Sequence, residues 1–197
     1  MNNKETLINL FPKPIVLVEN VFLEKLNFLE DFLKQQIQKQ GSKRTVTQNV
    51  DTTFHTNTNL FEKQEIKFLT DFIYDKSINF LTKLEYSESY INKCKYNEMW
   101  FNISNENDFL FPHHHGFCLV SGVYYIKAPK ESTITFYNNS YFYPNHIEVK
   151  NLNIYNSQDI NFNCVAGNLF LFKGDTLHGN KLQPKGEKIA ISFNLGI

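Results

Sequence analysis

The sequence has no excess of charge of either sign and no long apolar run. Lysine plus arginine and aspartate plus glutamate each number 20 in 197 residues, so the formal net charge is zero. A protein that binds nucleic acid through phosphate contacts normally carries a basic excess, so this balance argues against that class. A membrane-spanning helix needs about 20 apolar residues in succession, and the sequence contains no such stretch. We therefore expect neither nucleic acid nor a membrane as a partner.

Cysteine is scarce, and the three cysteines are far apart. Cys94, Cys118 and Cys164 form no Cys-x-x-Cys pair. An odd number of scattered cysteines is typical of free thiols in a reducing compartment. The first 14 residues also lack the apolar core of a secretory signal. The sequence therefore predicts a cytoplasmic protein.

Arginine is almost absent. Arg44 is the only one, against 19 lysines and 25 asparagines. Because lysine and asparagine codons are AT-rich, this usage indicates a low-GC genome, either of a bacterium or of a phage. The predicted location is then the cytoplasm of a bacterium or of a phage-infected host cell.

What the sequence does contain is enough apolar and aromatic material for one packed domain. It is 42% hydrophobic and 15% aromatic, and 197 residues can bury a core without disulfides. Apolar residues recur every three or four positions over 21–41 and 61–84, which predicts two helices. Short β-type runs separated by Gly, Pro, Asn and Asp predict strands within 14–20, 94–104, 117–129, 132–138, 146–151, 167–175 and 188–196.

Two early helices followed by many short strands predict an α+β fold. We expect a single domain over residues 1–197, with helical support over about 21–84 and a jelly-roll core over about 94–197. The jelly roll would be a cupin-like double-stranded β-helix, with the N-terminal helices packed on one outer face.

Three of the six histidines are consecutive, at positions 113 to 115. Residues i and i+2 of a strand share a face, so His113 and His115 can point together while His114 points away. Neutral imidazole suits iron, zinc and copper. A third ligand is offered by His178, which follows the apolar run 169–172 and a Gly-Asp turn. We predict that His113, His115 and His178 bind one metal ion.

Plainer interpretations of these residues stay open. Three adjacent histidines could form a merely solvated loop. His55 and His146 lie in polar stretches and are expected at the surface, and Cys118 is expected in the core. Asp108 and Asp175 are loop carboxylates that could touch the metal.

Four segments in order resemble a family of 2-oxoglutarate- and Fe(II)-dependent oxygenases related to the prolyl hydroxylases. They read "MWFNIS", "HHHGFCLVSGVYYI", "GNLFLFKGDTLHGN" and "KIAISFN", and the resemblance covers residues 100–194. It implies Fe(II) held by three protein ligands, with the remaining positions open to the keto acid and O₂. The implied activity is hydroxylase-type oxidation of a small-molecule or peptide substrate, coupled to decarboxylation of 2-oxoglutarate.

The resemblance also implies residues that bind 2-oxoglutarate. Its far carboxylate needs a cation, which in most relatives is an arginine nine or ten residues after the last histidine ligand. Here that position is Lys188, and Ser192 shares its strand face. Tyr125 matches a tyrosine that prolyl hydroxylases place on the same carboxylate, and Asn102 resembles an asparagine ahead of the iron motif. Segment 138–163 lies where relatives carry substrate-covering loops.

The third ligand departs from the wider pattern, in which His-x-Asp or His-x-Glu is usual. Three neutral imidazoles leave the iron one unit more positive than two imidazoles and a carboxylate. One alternative is therefore a three-histidine cupin-type dioxygenase that needs no keto acid, against which Lys188 with Ser192 argues. Another is a non-catalytic jelly-roll module whose metal only staples loops. A structural zinc would want a fourth protein ligand.

Overall fold

Two antiparallel sheets form a double-stranded β-helix, as the sequence predicts. The computed structural model describes residues 4–44, 48–138 and 148–197. The strands are β1 (Ile15–Val18), β2 (Gln48–Asn49), β3 (Asp51–Thr52), β4 (Lys95–Ser104), β5 (Phe109–His113), β6 (Val120–Lys127), β7 (Thr133–Tyr137), β8 (Asp159–Asn163), β9 (Leu169–Lys173), β10 (His178–Asn180) and β11 (Lys188–Gly196). The major sheet has the order β1-β9-β6-β11-β4-β3, and the minor sheet has the order β2-β5-β10-β7-β8.

The two predicted helices are confirmed, and both begin later than predicted. They are α1 (Leu26–Gln40) and α2 (Lys67–Lys83), and a one-turn α3 (Glu88–Ile91) follows. Phe22 has a φ of 49° ahead of a 3-10 turn, and two further 3-10 turns precede α2. Gly41, with a φ of 74°, ends α1 and donates its N–H to the carbonyl of Ile37. No helix in the described ranges is long and apolar enough to cross a membrane.

Alternation along the central strands gives the major sheet two different faces. One face packs against α1 and α2, where Leu33, Ile73, Phe101 and Phe193 belong to one apolar cluster. The other face points toward the minor sheet, and its apolar residues form a separate cluster: Val123, Tyr125, Ile134, Phe136, Cys164, Phe170, Phe172 and Ala190. The helices therefore cover the outer face, and the jelly-roll interior lies between the sheets.

A glycine allows close packing at the centre of the major sheet. Gly122 of β6 pairs with Phe193 of β11. A Cβ atom at position 122 would collide with the Phe193 ring and lie 2.5 Å from the carbonyl oxygen of Phe170. The missing side chain therefore lets the Phe193 ring pack over β6.

The strands that the sequence did not predict are short or polar. They are β2, β3, β5, β8 and β10, none longer than five residues. Their pairing depends on partners elsewhere in the chain rather than on their own propensity. The predicted strand 146–151 is not found in its described part, 148–151, and its first two residues lie outside the described ranges. Residues 139–147 of the expected substrate-covering segment also lie outside the described ranges.

Candidate metal centre

Strand pairing brings the three predicted histidines together. His113 ends β5 and pairs directly with His178, the first residue of β10. His115 follows two residues later, in the turn after β5. One ring nitrogen from each of the three lies within 4.8 Å of the other two. The ring centroids are 4.4 Å apart for His113 and His178, and 5.1 and 5.3 Å from each of these to His115.

The backbone around His115 explains why a residue outside a strand still faces the other two. The His115 N–H donates to the carbonyl of Gly174 at 2.7 Å. A Cβ atom at position 174 would lie 2.6 Å from the His115 carbonyl oxygen, so glycine is required for this close approach. This hydrogen bond and close approach therefore fix the turn after β5 against the turn before β10. His114, between the two inward histidines, is exposed.

Hydrogen bonds fix the tautomer of two of the histidines. Nδ1–H of His113 donates to the carbonyl of Phe111, and Nδ1–H of His178 donates to the carbonyl of Thr176, both at 2.8 Å. Because each Nδ1 carries a proton, each Nε2 keeps its lone pair for a metal.

The third histidine is oriented by a side chain rather than by the backbone. Nδ1 of His115 lies 3.3 Å from Nδ2 of Asn194. The same amide group donates to the Glu98 carboxylate at 2.9 Å. The Trp100 ring, with its centroid 5.8 Å away, packs beside His115.

Burial keeps the imidazoles neutral. It lowers the pKa of His115 to about 4, with smaller contributions from His113 and His114. It also lowers the pKa of His113, and it lowers that of His178 well below the ordinary value. Neutral imidazole is the form that binds a metal, so the site presents three neutral imidazoles at neutral pH.

A pocket between the sheets runs from these histidines to Lys188. Lys188 begins β11 and is only 3% exposed. Among residues 4–44, 48–138 and 148–197, no carboxylate forms an ion pair with its ammonium group. Burial lowers its pKa, an effect opposed by the negative charge that Cys164 and Asp108 can carry. The pocket thus has three imidazoles at one end and a buried lysine at the other.

The other predicted co-substrate residues line the same pocket. Nδ2 of Asn102 donates to Oγ of Ser192 at 3.1 Å, which joins β4 to β11. Tyr125 is 2% exposed and packs in the same apolar cluster as Cys164.

The loop carboxylates do not join the three histidines. Asp175 pairs with Lys173, and Asp108 pairs with Arg44. Cys118 donates to the carbonyl of His115 but does not belong to the group of possible ligands. His55 is exposed, as expected, and His146 lies outside the described ranges.

Sequence reasoning missed Glu98, Asn194, Trp100 and Arg44 as neighbours of the site. A signal was available for Asn194, because it continues the alternation of Lys188 and Ser192 along one strand face. No comparable signal pointed to Arg44.

A double-stranded β-helix with a three-imidazole cluster and a buried cation in one pocket has the arrangement of a 2-oxoglutarate- and Fe(II)-dependent oxygenase. Residues 98–194 match the model of the family described as "Putative 2OG-Fe(II) oxygenase". This part of the chain, about half of its length, belongs to that family. No curated protein matches the sequence.

Solved structures share the fold at low sequence identity. A viral collagen prolyl hydroxylase from Paramecium Bursaria Chlorella virus-1, in complex with 2-oxoglutarate, is 16% identical, with 92% of this chain and 94% of that chain covered and a TM-score of 0.60. A prolyl-4-hydroxylase of Pseudomonas putida is 11% identical, with 93% and 92% covered and a TM-score of 0.61. A prolyl hydroxylase of Trichoplax adhaerens, solved with a hypoxia inducible factor peptide fragment, is 10% identical, with 92% and 83% covered and a TM-score of 0.62.

The family makes this protein a 2-oxoglutarate-dependent dioxygenase, with Fe(II) and 2-oxoglutarate as its cofactors. The predicted enzyme class and both predicted cofactors are thereby confirmed. The donor set fits them: three neutral nitrogen atoms suit Fe(II), and a buried ammonium suits a carboxylate.

Proposed function

We propose that the protein couples decarboxylation of 2-oxoglutarate to hydroxylation of a separate small-molecule or peptide substrate, with His113, His115 and His178 holding the iron. The bound iron supplies activation of O₂. The single observation that carries the proposal is the buried Lys188 ammonium, which has no ion pair in the described parts of the chain and lies in the pocket of the three imidazoles.

A buried charge without a counterion is strongly unfavourable. A dicarboxylic keto acid would supply that counterion if its far carboxylate paired with Lys188 and its keto-acid end faced the histidines of the same pocket. Ser192 and Asn102, already hydrogen-bonded to each other, add donors on the same wall. Tyr125, also buried, lines the same pocket.

The remaining side chains orient the iron ligands and exclude water. The backbone carbonyls of Phe111 and Thr176 hold two imidazoles in the ligating tautomer. The Phe172 ring packs on His178, with centroids 4.5 Å apart. Phe136 and Phe170 extend this apolar wall. A low-dielectric wall strengthens the ionic contact that Lys188 would make.

The three-histidine donor set also favours a second candidate, a cupin-type dioxygenase that uses no keto acid. The described residues offer no carboxylate in the ligand cluster. This candidate leaves the buried Lys188 charge without a role, and we therefore rank it second. A purely structural metal that only cross-links loops is disfavoured by the three-histidine cluster, since three ligands leave a coordination position open.

The test is a titration of the anaerobic Fe(II) protein with 2-oxoglutarate, followed through the metal-to-ligand charge-transfer band. We expect saturable binding, weakened about 30-fold or more in Lys188→Ala with the iron retained, because deleting one partner of a buried charge pair typically costs about 2–5 kcal/mol. Pyruvate, which lacks the far carboxylate, should bind weakly and equally to both proteins. Equal 2-oxoglutarate curves for wild type and Lys188→Ala would exclude the assignment of Lys188.

We further propose that residues 1–197 form one domain and that the protein works in the cytoplasm of a bacterium or of a phage-infected cell. The first point is supported by β4, β6 and β11, whose opposite faces serve the helical core and the jelly-roll interior. The second is supported by three free cysteines. A chain lacking residues 1–93 should fail to fold, and a stable, iron-binding fragment would contradict the single domain.

A further inference from the structure

The only arginine of the sequence lies at the centre of an ion-pair network near the Lys188 end of the pocket. Arg44 contacts Asp108 through Nη1 at 2.8 Å and Nη2 at 3.0 Å. It also contacts Asp51 of β3 through Nε at 3.0 Å and Nη2 at 2.8 Å. Paired contacts of a guanidinium with a carboxylate are strong and geometrically specific.

Asp108 is a buried carboxylate with all its acceptor positions in use. It is 5% exposed. Besides Arg44, its Oδ2 accepts the Asn105 N–H at 2.7 Å, and its Oδ1 lies 3.4 Å from Nδ2 of Asn49. A buried carboxylate needs such partners to remain ionised.

Asp108 also lies close to Lys188. It belongs to the turn that follows β4, and Ser104, the last residue of β4, pairs directly with Lys188. The Asp108 carboxylate is bonded to Asn105, the residue next to Ser104. Asp108 is the one Asp or Glu side chain among the described residues whose charge raises the pKa of Lys188.

We propose that Arg44 is a positioning residue for the co-substrate: by holding Asp108, it prevents Asp108 from pairing with Lys188 and leaves the ammonium free for the far carboxylate of 2-oxoglutarate. This inference rests on the proposed role of Lys188. Without Arg44, the Asp108 carboxylate would be buried and short of a cation, and Lys188 starts the strand that pairs with the end of β4, next to the turn that carries Asp108. An internal Asp108–Lys188 pair would then compete directly with the co-substrate.

The inference predicts a specific pattern of coupling between two substitutions. In anaerobic Fe(II) titrations, Arg44→Ala should weaken 2-oxoglutarate binding about tenfold or more, equivalent to about 1.4 kcal/mol. Asp108→Asn alone should leave the affinity unchanged or slightly higher, because the competitor is removed. The double variant Arg44→Ala/Asp108→Asn should recover binding to within a few-fold of wild type. Pyruvate should bind all four proteins equally, since it makes no contact with Lys188.

A matched control separates this coupling from general loss of an ion pair. Lys67→Ala removes an exposed pair with Asp71 on α2 and should change neither titration. If Arg44→Ala does not fold, Arg44→Gln carries the test with the same expectations, because it keeps polar atoms and removes the charge.

The inference is overturned if the Arg44 variant binds 2-oxoglutarate as wild type does. It is equally overturned if adding Asp108→Asn to Arg44→Ala does not restore 2-oxoglutarate binding. It is also overturned if pyruvate binding falls in parallel, since that would mean a general loosening of the site. A failure of the proposed function looks different, because wild type itself would then not bind 2-oxoglutarate, or Lys188→Ala would bind it equally well.

Discussion

The two faces of β11 differ sharply in chemistry although both are buried. Toward the helices the strand presents Ile189, Ile191, Phe193 and Leu195, each with no exposed surface. Toward the minor sheet the same strand presents Lys188, Ala190, Ser192 and Asn194, also buried or nearly so. The side chains on the two faces are thus similarly buried but chemically opposite. One face is apolar and stabilises the fold, and the other keeps polar groups away from water for a ligand.

This contrast has an energetic consequence. Burying apolar surface stabilises a protein by about 25 cal/mol per Å², whereas a buried polar group without a full set of partners destabilises it. The helix-facing residues should therefore control stability with little effect on binding. The pocket-facing residues should control binding, and some of them should reduce stability.

The largest expected effect lies on the helix-facing side. Phe193→Ala should lower the free energy of unfolding by about 3–5 kcal/mol, because the ring is fully buried over Gly122 and its loss leaves a cavity. Denaturant unfolding of the metal-free protein measures the change. Phe117→Ala is the control: that ring is fully exposed, and its removal should change stability by less than about 0.5 kcal/mol. Equal losses in the two variants would contradict the assignment of Phe193 to the core.

The next effect concerns the metal. His178→Ala should weaken Fe(II) binding by more than about a hundredfold, since losing a ligand should exceed the 10–100-fold typical of losing an outer-shell partner. His114→Ala, which removes an exposed imidazole of the same histidine run, should leave the affinity within a few-fold of wild type. Anaerobic binding measurements on both variants test the pair. Comparable losses would show that His114 takes part in binding.

A third substitution should move stability and binding in opposite directions. Lys188→Met should raise the free energy of unfolding by about 1–3 kcal/mol, because an apolar side chain of similar length replaces a buried charge, while 2-oxoglutarate binding is lost. Burial lowers the pKa of Lys188 in the folded state. The unfolded chain then holds a proton that the folded chain releases in the window below pH 10.5, so wild-type stability rises with pH there.

The gain from Lys188→Met should accordingly be largest near neutral pH and shrink toward pH 10.5. Unfolding curves at several pH values, without iron or keto acid, measure it. A variant less stable than wild type at neutral pH would show that Lys188 makes favourable contacts in the empty pocket.

The helices, the long strands and the positions of the three histidines could be predicted from the sequence alone, because each has a recognisable local sequence pattern. β11 shows strict alternation, and His113, His115 and His178 lie next to apolar runs. His113 and His115 were expected to share a strand face. They do lie close to His178, but His115 is not in a strand, and a turn held by Gly174 orients its ring. Short strands such as β10 have no signature, since three residues cannot show a period.

Contacts between polar residues that are far apart in the sequence could not be predicted, for a different reason. Arg44 and Asp108 are 64 positions apart, and both occur in polar stretches that read as solvated loops. Only the packing of the segment around β2 and β3 against the turn after β4 brings them together. The sequence showed that Arg44 was unusual by being alone, but rarity does not identify a partner.

The smallest effect is expected from Ser192, and it tests whether the polar face of β11 binds the co-substrate beyond the charge of Lys188. The Ser192 hydroxyl accepts a hydrogen bond from Asn102, so its own proton is available to a carboxylate in the pocket. A neutral hydrogen bond contributes about 0.5–1.5 kcal/mol, and Ser192→Ala should therefore weaken 2-oxoglutarate binding roughly two- to tenfold without changing Fe(II) affinity. Ser77→Ala is the matched control, because Ser77 is a buried serine that lies in α2, where its hydroxyl donates to the carbonyl of Ile73. That variant should bind 2-oxoglutarate as wild type does. If Ser192→Ala binds the keto acid unchanged, the hydroxyl serves only to hold Asn102, and recognition of the far carboxylate rests on Lys188 and Tyr125.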